Sequence, residues 1–169
     1  MISVYAVIVF MVYGWTLVAF SGRFPSWSRF LPLGEILTVY SYSLLTDFIE
    51  SLLFLAFLLL LSAILPPRFI LEDFPVRGTI ITISLLGALM FNLILYTNSN
   101  TDAILGLPAW LFITICGLLF MAFMEFLSEK IPLIKVTLVK LPEWLMIFLY
   151  AFMGLSLLAL VVVAVKNLG

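Results

Sequence analysis

A chain of 169 residues that is 65% hydrophobic and only 10% charged has too few polar side chains to cover a water-facing surface. Its mean hydropathy of +1.31 makes lipid the natural solvent, and a net charge of −1 offers no basic field for nucleic acid. With no histidine and a single cysteine, Cys116, the chain lacks the commonest general base, the usual haem, zinc and copper ligands, and any intrachain disulfide.

A helix rises ~1.5 Å per residue, so about 20 apolar residues cross a ~30 Å hydrocarbon core. Five runs meet that length. The first, residues 1–20, carries no charged side chain. It lacks a basic leader and is longer than the apolar part of a signal peptide, so it reads as a span. Residues 21–43 read as an interfacial segment. In it Phe24, Trp27, Phe30 and Tyr40 sit at headgroup depth, and Arg23 and Arg29 reach lipid phosphates. From Leu33 onward the same residues can instead lengthen the second helix.

The second span, 44–65, is expected to stop at Pro66-Pro67. The third covers 78–96. The fourth covers 108–127, with Pro108 placed in its first turn. Between it and the last span, residues 128–141 set Lys130, Lys135 and Lys140 among apolar neighbours, as a surface helix or a short strand. The fifth, 143–165, follows Pro142. The fold expected is therefore all-α: a polytopic membrane protein, one domain over 1–169, built as a bundle of about five transmembrane helices. It holds no internal repeat or low-complexity tract.

The positive-inside rule gives a divided answer. Arg68, Arg77 and the three lysines favour a cytoplasmic N-terminus. Arg23 and Arg29, just after the first span, favour the reverse.

Ionisable groups inside spans are costly and by default suggest function. Asp47 and Glu50 share a face with Ser51 and Phe54 by i, i+3, i+4 and i+7 spacing. Both lie near a membrane boundary, on the side of Arg23 and Arg29, which can pair with them. Glu125 ends a stripe of Thr114, Gly117 and Met121, with Arg68, Arg77 or Lys140 as its partner. Asp47/Glu50 and Glu125 thus fall near opposite surfaces, too far apart to bridge one metal, but suited to mark two mouths of an ion or proton pathway. Ser84, Ala88 and Asn92, at i, i+4 and i+8, supply the polar lining such a pathway needs, or a packing face. Together with Thr114 and Gly117, the small residues Ser84 and Ala88 let helix backbones approach. Thr79 and Thr82 can bond back to their own helix.

Most tests for an embedded enzyme fail, since no HExxH, GxSxG or Gly-rich phosphate loop is present, and only a lone carboxylate acid–base pair is left open. No cofactor is expected. Trp15, Trp27, Trp110 and Trp144 near span ends fit an interfacial belt better than a substrate cage. The leading expectation is a structural or accessory subunit of a larger membrane complex. Its partners would be the lipid bilayer and other membrane subunits, or further copies of the chain. The alternatives are a small oligomeric channel or transporter for cations or protons, and, more weakly, a lipid-modifying enzyme. A bacterial or archaeal plasma membrane is the expected location, with an organelle not excluded.

Overall fold

The computed structural model describes residues 2–64, 73–98 and 103–168. These form five helices: α1 (Ile2–Phe30), α2 (Leu33–Ile64), α3 (Phe74–Asn98), α4 (Ala103–Lys130) and α5 (Pro132–Leu168). No strand occurs among the described residues. All five are long and apolar enough to cross a membrane, and the protein is a small all-α membrane bundle.

The helices outrun the spans expected from hydropathy. α5, with 37 residues, is about 55 Å long. Residues 21–30 continue α1 and residues 33–43 open α2, so the segment read as interfacial is the extended tip of a helical hairpin. Only Leu31 and Pro32 separate the two helices. Leu31 N–H still bonds Trp27 O, and the Pro32 carbonyl accepts from Glu35 and Ile36 to start α2. The stretch 128–141 is likewise helical rather than extended. It is broken only at Ile131, where Pro132 disfavours helix geometry in the residue before it.

Pro108 and Pro142 do not mark helix starts. Pro108 lies inside α4 and Pro142 inside α5, each removing one helical hydrogen bond. Neighbouring helices make such prolines tolerable in a bilayer, and Pro142 is fully buried among them. The interval expected as loop 97–107 shortens too: α3 runs to Asn98 and α4 begins at Ala103. Pro66, Pro67 and Arg68 lie outside the described residues.

α1 is the hub. It packs against α2, α3 and α5, while α4 leans on α3 and, less, on α5. In the apolar window of α1 44% of residues are buried, against 11% in α4. Val4 through Val9 are covered on every side, which requires helices all round. Two small-residue approaches set the spacing. A Cβ added at Gly78 would lie 2.9 Å from Val4 Cγ2, and one at Gly117 would lie 2.9 Å from the Ala88 Cβ. Glycine at those positions lets α3 close on α1, and α4 on α3. A satellite cluster of Val76, Ile80 and Leu138, with Met121 and Met124, joins α3, α4 and α5 at one end.

Candidate functional site

The polar groups of the bundle sort into two ends and a seam. The seam runs along α1. Tyr5 and Ser51 share a hydroxyl hydrogen bond of 3.3 Å, and Tyr13 and Ser156 share one of 2.6 Å. Thr16 Oγ1 donates to Asp47 Oδ1 at 2.7 Å. α1 thus holds α2 through Ser51 and Asp47, and α5 through Ser156. Tyr13 also stacks on Phe152, with centroids 4.9 Å apart. These contacts were missed from the sequence. The signal available was Tyr5, Tyr13 and Thr16 recurring toward one side of an otherwise apolar run.

Asp47 is the most consequential group. It is only 4% exposed. Thr16 satisfies one carboxylate oxygen, while Oδ2 has no hydrogen-bond partner. A buried acceptor in that condition is uncommon and costly. Asp47 lines an open cleft of about 620 Å³ between α1 and α2, near the hairpin tip. Glu50, one turn along α2, also lines it and is exposed. The face predicted to carry both acids therefore divides: Asp47 and Ser51 turn to α1, and Glu50 stands on the cleft's rim.

The cleft walls mix apolar, aromatic and hydroxyl groups. Trp15 and Thr16 come from α1, and Tyr42, Ser43 and Thr46 from α2. Toward the tip the lining passes through Phe20, Arg23 and Trp27. Phe20 braces this region, with its ring 5.6 Å from that of Trp27 and 4.7 Å from that of Tyr40. Tyr42 is fixed by Asn167 of α5, whose Nδ2 donates to the phenol oxygen at 3.0 Å. Trp15 and Trp27, expected in a plain interfacial belt, thus face a cavity. Trp110 and Trp144 are exposed on the outside of the bundle.

Arg23 lines the cleft, but neither it nor Arg29 forms an ion pair with Asp47 or Glu50; the described ion pairs all lie at the other end. There Arg77 Nε meets Glu125 at 3.2 Å, and its Nη2 meets Glu129 at 3.8 Å. Lys135 Nζ donates to Asp73 at 2.8 Å. Asp73 also opens α3, its carbonyl accepting from Val76 and Arg77. Glu125 and Asp47 are not brought together, and no group of three or more metal-ligating side chains occurs among the described residues.

The remaining predicted residues fall away from the cleft. Ser84 is buried with its Oγ unpartnered, and its carbonyl and Ala88 face Gly117 across α3 and α4. Thr114 bonds its own helix at Trp110 O, 2.8 Å away. Thr79 and Thr82 do the same on α3. Asn92 is half-buried on α3 outside the cleft lining. Cys116 is exposed on α4.

The Arg77 cluster is at least partly exposed, so it should contribute little to stability. Exposed pairs are worth about 0.2–1 kcal/mol. A double-mutant cycle of Arg77→Gln with Glu125→Gln, read by thermal melting in detergent, should give a coupling energy in that range. A coupling of several kcal/mol would show a buried functional pair instead.

No family model matches the chain, and no curated protein and no solved structure matches it.

Proposed function

We propose that this small integral membrane protein binds a cation at the α1–α2 cleft and acts as a small channel or transporter for cations or protons. The observation that carries this is Asp47. A carboxylate held by Thr16, buried to 4% exposure, keeps one oxygen unpartnered beside an open cleft. In a low-dielectric surround such an oxygen is a strong acceptor for positive charge. Glu50 adds a second carboxylate on the rim, and the hydroxyls of Ser43 and Thr46 add neutral oxygens. Intramembrane acids that face a cavity are the usual markers of ion and proton routes. Glu125, by contrast, is already neutralised by Arg77.

Liposome flux tests this reading. Reconstituted protein should dissipate an imposed cation or proton gradient, and Asp47→Asn should lower the rate at least about ten-fold, as loss of a charge-assisted contact implies. Glu125→Gln serves as the control and should retain most of the flux. Wild-type rates in Asp47→Asn would reject the role given to that carboxylate.

A second reading, an accessory subunit of a larger membrane assembly or a self-associating chain, draws on α4. Phe112, Leu119 and Phe123 on that helix are all more than half exposed, and either acyl chains or another membrane helix can cover them. Native mass spectrometry from mild detergent separates the two. A lone 19.0 kDa species counts against the subunit reading.

A further inference from the structure

The geometry points to an organic ammonium ion as the cation of the α1–α2 cleft, drawn by Asp47 and Glu50 to the aromatic side chains of Trp15 and Tyr42. This deepens the cation reading of that cleft and rests on it.

Size comes first. A cleft of about 620 Å³ is far larger than a bare alkali or alkaline-earth ion and falls within the range for small organic ligands. Ligand chemistry comes second. A hard divalent cation takes six or more oxygens, and a site that dehydrates it must supply most of them from the protein. The described residues hold no cluster of three or more metal-ligating side chains, and the cleft's two carboxylates stand at different depths, one buried and one on the rim. A proton alone would leave the aromatic lining without a role.

Third is the pairing of charge with π-faces. Alkylammonium ions are weakly hydrated on their carbon side and are attracted to the faces of tryptophan and tyrosine, most strongly when desolvated. The cleft sets Trp15 and Tyr42 nearest its two carboxylates, with Trp27 and the single guanidinium of Arg23 toward the tip. Two acids against one base leave it net negative, which favours a monocation over a neutral or anionic guest. Asp47 supplies uncompensated negative charge from within the wall, its enclosed Oδ2 having no hydrogen-bond partner and Thr16 holding the carboxylate in place, while the exposed Glu50 is the acid a guest reaches first. Tyr42 is held in position by Asn167, so part of the lining is preorganised and costs little ordering on binding.

Calorimetric titration of the purified full chain in mild detergent tests the inference. The probes are choline, its neutral isostere 3,3-dimethylbutan-1-ol, and sodium, potassium and magnesium chlorides at matched ionic strength. Choline should bind saturably and the neutral isostere at least about ten-fold more weakly, because only the former has a charge to offer the carboxylate. Trp15→Leu should weaken choline by roughly three- to thirty-fold, the span of a partly to fully desolvated cation–π contact. Asp47→Asn should abolish detectable binding. Glu50→Gln, at an exposed position, provides a second charge variant should Asp47→Asn fail to fold, and should weaken choline measurably. Binding of metal ions equal to choline and indifferent to Trp15→Leu would overturn the ammonium assignment while leaving the cation reading intact. Failure of every cation to bind the folded wild type would overturn both.

Discussion

Tyr13→Ala should destabilise the bundle by about 2–3 kcal/mol, the cavity part of an aromatic truncation at roughly 24 cal/mol per Å³, and is expected to shift the protein toward an unfolded or aggregated fraction in detergent. Tyr13 is 1% exposed, stacks on Phe152 and shares its hydroxyl with Ser156. In a bilayer the loss does not arise from transfer to water, since lipid is as apolar as the core. It arises from forfeited dispersion contacts and an unfilled cavity. Tyr13→Phe isolates the hydroxyl. It should cost about 1 kcal/mol, because Ser156 can fall back on the Phe152 carbonyl, which it already reaches at 3.0 Å. Denaturation of both variants in mixed micelles supplies the measurement. Wild-type stability of Tyr13→Ala would mean that α1 is not the hub.

Gly117→Leu should act on a different contact, prising α4 from α3. Even a Cβ at Gly117 would sit 2.9 Å from the Ala88 Cβ and 3.5 Å from the Ser84 carbonyl oxygen. The remaining three carbons have no room without helix displacement, and overpacking of this kind costs about 1–3 kcal/mol or more. Two companions make the effect specific. Gly117→Ala combined with Ala88→Gly exchanges the two partners and should recover most of the stability lost by Gly117→Ala alone. Gly87→Ala, where an added Cβ meets nothing within 4 Å, should be neutral or stabilising by up to about 1 kcal/mol through helix propensity. Equal damage from Gly87→Ala and Gly117→Ala would mean that the α3–α4 approach is not what glycine protects. Melting curves of the wild type and the four variants in one detergent give the comparison.

The number of spans and their nature were legible in the sequence, because apolar run length is a direct physical requirement of the bilayer. Helix ends were not. Pro108 and Pro142 look like start signals by local rules, but tertiary packing carries α4 and α5 through them. Arg23 and Trp27 read as interfacial anchors because their spacing from the first span is all that sequence provides. The structure shows α1 continuing through them, so they come to line a cleft.

The small-residue positions Ser84, Ala88 and Gly117 stood out by their spacing on each helix. That they face one another depends on the rotation of α3 against α4, which one-dimensional periodicity leaves open. Asp47 and Glu50 were visible as acids in an apolar run. Their different environments were not, since burial of one and exposure of the other depends on Thr16, Trp15 and the angle of α1. The tyrosines of α1 went unnoticed because their hydrogen-bond partners lie on helices far along the chain.

That separation bears on the order in which the protein assembles. Tyr13 and Ser156 stand 143 positions apart, and α1 makes its contacts with the second, third and fifth helices to emerge. Helices enter the bilayer individually and associate afterwards, and chain synthesis proceeds from the N-terminus at roughly 5–20 residues per second. The first helix therefore waits for several seconds with one flank unoccupied, held on the other by its hairpin partner α2. Closure belongs to the last helix, and a ribosome stalled before Ser156 leaves the hub exposed to whatever quality-control protease surveys the membrane.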